Sequence, residues 1–207
     1  MAFIKSKAHQ EVTQEERRAP RTTENLIRDL GDPNPVVRRW AARDLATTPV
    51  ATGPLVERLK VEPDVSVREI ILTSLTRLGD SVAVAGLVVC MRSEDAALRN
   101  EALEAMKQLP EEVAPIMEVL LRDTVADNRI AAVNILESLR HPHVEQWLIE
   151  VIERDAHVNV CAAAVDLLVE VGTPAAREAL VALKARFRAE PYIQFAADLA
   201  LRSIDEA

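Results

Sequence analysis

Residues 32–45 read Asp32-Pro33-Asn34-Pro35-Val36-Val37-Arg38-Arg39-Trp40-Ala41-Ala42-Arg43-Asp44-Leu45. The two prolines bar a continuing helix but suit a first helical turn, where the missing N–H has no partner to lose. Behind them Val37, Ala41 and Leu45 recur at helical spacing, so one face of the helix is apolar. The stretch is a turn followed by a helix with a stripe to bury.

It recurs. Related stretches begin at Glu62, Ser93, Asp123 and Asp155. With a step of 30 or 31 residues, the arginine column reads Arg38, Arg68, Arg99, Arg129 and Val160. A closing apolar column reads Leu45, Leu75, Met106, Leu136 and Leu167, and a small-residue column Ala41, Ile71, Ala102, Ala132 and Ala163. A sixth, looser copy, EPYIQFAADLAL, puts Ala197 and Leu201 in the last two columns. Each copy is preceded by an apolar pair such as Leu26/Ile27 or Leu148/Ile149, so a unit is a short helix, a tight turn and a second helix. Gly31, Gly79 and Gly172 fall where helices should stop. Asp32, Asp64, Asp95 and Asp155 suit the start of second helices, where a carboxylate accepts orphan N–H groups.

The motif Asp-Pro-x-x-x-Val-Arg-x-x-Ala-Ala-x-x-Leu, met by Asp32 to Leu45, resembles the HEAT repeats of the short, phycobilisome-lyase-like kind, of about 30 residues. The resemblance covers residues 23–205. It implies an all-α solenoid, a superhelix of about six helix pairs, with the second helices on its concave face. The expected boundaries are a flexible N-terminal extension over 1–22 and repeats near 23–48, 49–79, 80–109, 110–140, 141–172 and 173–207. Six stacked pairs would make a rod of roughly 50–60 Å.

Composition agrees with such a fold. The 207 residues are 49% apolar but only 3% aromatic, with five glycines. That excludes a Gly-rich nucleotide-binding fold, a disordered chain and a ring-rich β-sandwich. Ala, Val and Leu fill thin repeated layers that a large ring would disturb. The net charge of −8 argues against a general nucleic-acid binder. No apolar run approaches the ~18 residues of a membrane span. The N-terminus lacks the apolar core of a signal peptide, and Cys90 and Cys161 form no disulfide framework. The expected location is the cytoplasm.

Catalytic, cofactor and metal sites are not expected. G-x-S-x-G, a phosphate-cradling loop and H-E-x-x-H are absent. HEAT-like hydroxylases hold iron with His-Glu pairs, and no His-Glu dipeptide occurs here. His141, His143 and His157 could join Cys161 only if the ends of one helix met, and about 12 residues of helix separate them by roughly 18 Å. Cys90 lies among Leu87, Val88, Val89 and Met91 as a small core residue. Cys161 has acidic neighbours, which do not favour a thiolate. Arg38, Arg68, Arg99 and Arg129 read as a structural ladder, each arginine bridging neighbouring turns through an Asp or a backbone carbonyl.

The informative surface is the second-helix face. The position after the arginine reads Arg39, Glu69, Asn100, Ile130, Cys161; four further on come Arg43, Thr73, Glu104, Asn134, Val165. One more turn gives Thr47, Arg77, Gln108, Ser138 and Val169, so charge fades toward the C-terminus. Two readings of Ile130, Cys161, Val165 and Val169 stay open: an apolar binding groove, or a fifth helix rotated into the core. Trp40 and Trp147 are likewise core fillers or interface anchors.

The expected function is a non-enzymatic adaptor or scaffold that binds a helix or loop of a partner protein in a preorganised groove, with no nucleic acid and no membrane. Ile130, Asn134, Cys161, Val165 and Val169 would contact the partner, and Arg39, Arg43 and Glu69 would select its charge. The resemblance offers two alternatives. One is a tetrapyrrole-binding chaperone like the phycobilin lyases. The other is a HEAT-like DNA glycosylase, which would need a basic groove.

Overall fold

A computed structural model describes residues 21–206, so the expectation for the N-terminal extension falls almost wholly outside the described residues. The described chain is all-α, without strands, and packs as two compact units, one up to Gly86 and one from Leu87 on. No helix among the described residues is long and apolar enough to cross a membrane.

The first unit holds α1 (Thr23–Asp29), α2 (Pro35–Asp44), α3 (Thr52–Leu59), α4 (Val65–Leu78) and the start of α5 (Ser81–Met91). Local chemistry sets these limits. Asn34 caps α2 by accepting the Val36 N–H, with Pro35 in the first turn. Asp64 caps α4 through the N–H groups of Ser66 and Val67. Gly79 ends α4 with φ of 57°, a left-handed conformation that glycine adopts without strain. Leu45, Leu55, Ile71 and Leu75 are fully enclosed, and Ala41, Ala42 and Ala51 let the helices approach. A Cβ at Gly86 would overlap the Val56 methyls, so α3 and α5 touch there through backbone. Ser74 ties α4 to α2 by donating to the Ala42 carbonyl at 2.9 Å.

The second unit runs through the end of α5, then α6 (Ala96–Lys107), α7 (Pro110–Val113), α8 (Met117–Leu120), α9 (Ala126–Leu136), α10 (Val144–Arg154), α11 (Val158–Val171), α12 (Arg177–Arg186) and α13 (Pro191–Glu206). The first helix of the fourth copy is broken by Pro115 into α7, a 3-10 turn and α8. Helix α11 packs against α9, α10 and α13, and α12 against α10 and α13. Met106, Met117, Ile135, Leu136 and Leu148 fill the core. Burying a side chain of this size contributes about 1.5–3 kcal/mol, so the repeated layers carry most of the stability.

The aspartates divide into two roles. Asp64 and Asp95 are helix caps, as their positions predict. Asp32 and Asp155 stand two residues before the capping position and accept the N–H of Asn34 and His157, at 2.7 and 2.9 Å. They shape the turn that leads into the helix.

Candidate functional site

The turn geometry decides which side chains are left for a partner. Arg38 donates to the carbonyls of Asp32 and Pro33, at 2.8 and 3.1 Å. Its other nitrogens meet both oxygens of Glu62, in the next turn, at 2.8 and 2.7 Å. Both residues are buried, with Arg38 6% and Glu62 4% exposed. Burial alone would raise the Glu62 pKa, but bonds from Arg38, Arg58 and the Asp64 N–H outweigh it and hold the carboxyl at about 2. Arg99 donates to the carbonyls of Ser93 and Glu94. Arg129 repeats the full pattern, with one nitrogen on the Asp123 carbonyl at 2.8 Å and a bidentate pair on Asp155 at 2.6 and 2.9 Å. In all three, the guanidinium reaches the carbonyl six residues back.

The fifth turn has a thiol at that point. Cys161 Sγ donates to the Asp155 carbonyl, six residues back, at 3.3 Å. Cys161 therefore occupies the arginine column, not Val160, and the step from Arg129 is 32 residues. The buried positions shift with it: Ala164 and Leu168 are fully enclosed, while Ala163 and Leu167 are half-buried. A guanidinium still reaches the turn, from α12. Arg186 donates to the carbonyls of Ile152 at 2.7 Å, Glu153 at 2.6 Å and Asp155 at 2.9 Å, and to Cys161 Sγ at 3.3 Å. These carbonyls lie at the C-terminal end of α10, where a cation is favoured. Burial raises the Cys161 thiol pKa, and the pull from Arg186 only partly offsets that.

This register corrects the apolar column. Cys161 and Val165 are 0% exposed, so neither offers a surface to a partner. Val169 is half-buried, and its carbonyl accepts the Ser203 hydroxyl of α13 at 2.9 Å. The fading charge of that column reflects core positions of α11 falling in line with surface positions of the other second helices. Counted with the 32-residue step, the equivalent of Asn134 is Asp166 and that of Ser138 is Glu170, and both are exposed. Ile130 is half-buried and Asn134 exposed on α9. In the first unit Arg39, Arg43 and Glu69 are exposed on α2 and α4. The Arg43 guanidinium lies 3.9 Å from the centre of the Trp40 ring and also holds Asp44.

The second-helix face of the second unit has two joined features. Between α9 and α11 lies a cleft of about 250 Å³, with Val133, Ala163 and Leu167 along it and Asn134, Glu137, Asp166 and Glu170 at its edge. On α13, Tyr192, Phe195 and Leu199 stand at i, i+3 and i+7, 54%, 61% and 38% exposed. Asp166 joins the two, because the Tyr192 hydroxyl donates to its carboxylate at 2.7 Å. These three α13 residues are absent from the sequence-based set of contacts. The signal was present: a Tyr and a Phe of a ring-poor chain sit three apart in EPYIQFAADLAL.

Other polar groups do not join this face. A cleft of about 310 Å³ between α8 and α10 is lined by Trp147, Arg122, Arg154 and Glu150. Its charges are spent on each other: Glu150 faces Arg122 at 3.5 Å and Arg154 at 3.6 Å. Trp147 is a core filler, 6% exposed, with the His141 ring stacked 5.0 Å away and His143 edge-on. His157 opens α11. Cys90 is buried.

Comparison with known proteins follows this anatomy. The family model described as HEAT repeats matches residues 113–202. No curated protein matches the chain. The archaeal HEAT-like repeats protein from Thermococcus onnurineus NA1 is similar in structure, with a TM-score of 0.51 at 14% identity over 89% of this chain and 87% of that one. Human deoxyhypusine hydroxylase, in complex with glycerol, aligns with a TM-score of 0.47 at 19% identity, over 89% and 74%. The complex of CpcE and CpcF of phycocyanin lyase from Nostoc sp. PCC7120 gives 0.38 at 19% identity, over 100% and 99%. The archaeal protein shares the fold; the other two likenesses are too loose to carry an argument. Residues 113–202 thus match HEAT repeats, and helix pairs of the same kind recur upstream from Thr23.

Proposed function

We propose that this protein is a non-enzymatic scaffold that binds a partner protein on the exposed face of its second helices. The observation that supports this reading is the stripe of Tyr192, Phe195 and Leu199 on α13: among the described residues, every other large apolar side chain this exposed is a valine. Apolar groups grouped in this way mark a binding surface more often than a solvated one. The buried turn networks add to it, because a surface held by Arg38–Glu62 and Arg129–Asp155 pairs loses little conformational freedom on binding. Ile130 and Asn134 belong to the same proposed surface in the second unit, and Arg39, Arg43 and Glu69 to the corresponding face of the first. A cytoplasmic setting goes with this reading, with the buried Cys90 and Cys161 both outside any disulfide.

The test is affinity capture with the full chain, read by mass spectrometry and compared with the double variant Phe195→Asp, Leu199→Asp. Circular dichroism checks the fold of both. The partners retained by the wild type should be lost from the variant. Retention of every partner by a folded variant refutes this face as the site.

A further inference from the structure

The acidic groups of the second unit fall into two populations. Several away from the second-helix face are matched by cations: Asp123 meets Arg92 at 2.6 Å, Asp155 meets Arg129, Glu150 meets Arg122, and Asp205 meets Arg177. At the α9–α11 cleft the matching stops. Glu170 and Asp166 make no ion pair among the described residues, and Asp166 accepts only the neutral Tyr192 hydroxyl. Glu137 has one long contact, 3.7 Å to Lys107. Carboxylates left without cations beside an exposed apolar stripe define what fits there.

We infer that this face takes a cationic amphipathic helix of a partner protein. The inference rests on the binding face proposed above and adds the chemistry of its occupant. The stripe runs over eight residues of α13, close to two helical turns or about 10 Å, so it matches a partner's apolar residues at i, i+3 or i+4, and i+7. Leu167 and Ala163 extend the apolar ground beside it. Lysines or arginines flanking that apolar row reach Glu137, Asp166 and Glu170, which favours them over acidic sequences and speeds encounter. Phosphate-bearing partners meet repulsion from the same three carboxylates.

The experiment uses the full chain and two labelled synthetic helical peptides with identical leucine positions, one carrying lysines on its polar face and the other glutamates. Fluorescence anisotropy reads both at low and at physiological salt. The lysine peptide should bind, and the glutamate peptide should bind about tenfold more weakly or not at all. Added salt should narrow the gap. The double variant Asp166→Lys, Glu170→Lys should reverse the preference, while Phe195→Ser weakens the lysine peptide and leaves its salt dependence in place. Equal binding of the two peptides, preference for the glutamate peptide, or no binding of either overturns the inference. If charge preference fails while Phe195→Ser still abolishes partner capture, the binding face stands and only its cationic occupant is lost. Should Phe195→Ser affect neither, the face itself is refuted. Sedimentation of the free chain adds one more outcome: a self-associated state that Phe195→Ser disperses and the lysine peptide does not would make a second copy the occupant and overturn the inference.

Discussion

The turn at Arg38 and the turn at Cys161 solve the same problem with different parts. Both leave a carbonyl, six residues before the column position, that needs a donor. At Arg38 one side chain serves that carbonyl and also reaches Glu62 in the next turn. At Cys161 a small thiol serves it, and Arg186 comes from α12 to supply the guanidinium. The repeat therefore demands a donor at a place in space, and the chain can deliver it from more than one place in the sequence.

The comparison can be broken at several strengths. The largest effect is expected from Arg38→Met, which leaves Glu62 buried without its main partner and should cost about 3–5 kcal/mol in urea unfolding. Its pH dependence has a definite sign. Glu62 is held at about 2 when folded, against about 4.5 for an ordinary Glu. Its contribution is thus complete above the ordinary value and falls away as the pH drops toward 2, a change of about 3 kcal/mol. Arg38→Met should flatten that acid limb, and an unchanged limb would show that Glu62 does not carry it.

Next is the register of α11. Leu168→Ala should cost about 2–4 kcal/mol, because Leu168 is enclosed. Leu167→Ala, half-exposed at the cleft, should cost less than half as much. The reverse order would restore the 31-residue step.

Arg186→Ala comes third, at about 1–2 kcal/mol for the donors lost from the end of α10. A double-mutant cycle sharpens it: Cys161→Arg should be tolerated better when Arg186 has been replaced by Ala, since both guanidinium groups seek the same carbonyl. Additive effects would mean that Arg186 does not stand in for the ladder. Arg43→Ala is the smallest, below about 0.5 kcal/mol, because its pairing with Asp44 and Trp40 is at the surface.

Much of this anatomy could be read from the letters. The helix pairs, the breakers, the caps at Asp64 and Asp95 and the core columns of the first four copies follow from spacing, because the packing that enforces them repeats. The fifth copy did not yield in the same way. Six residues on from Asp155, the spacing from Asp32 to Arg38, lies Cys161, while a constant step of 30 or 31 leads to Val160. With no arginine to anchor the column, the constant step sets Cys161, Val165 and Leu167 one residue out of phase with the fold. On a helix, one residue is 100°, enough to exchange the core for the surface. The substitute donor Arg186 lies 25 residues beyond Cys161, a distance that repeat spacing does not announce. Phe195 and Leu199 are hidden for a related reason: the last copy matches the others through its small residues, which are buried, and those say nothing of the exposed side.

The central claim is that partners meet Asp166, Phe195 and their neighbours, and that Cys161 and Val165 lie beneath. Thiol labelling tests it most directly, using single introduced cysteines at Asn134, Asp166 and Phe195, with Arg39→Cys for comparison, in the presence and absence of a captured partner. The account predicts fast labelling of the three second-unit positions in the free chain and protection of all three in the complex, with native Cys161 unreactive throughout. Unchanged labelling at positions 134, 166 and 195 in the complex, or a reactive Cys161 in the folded chain, would contradict it.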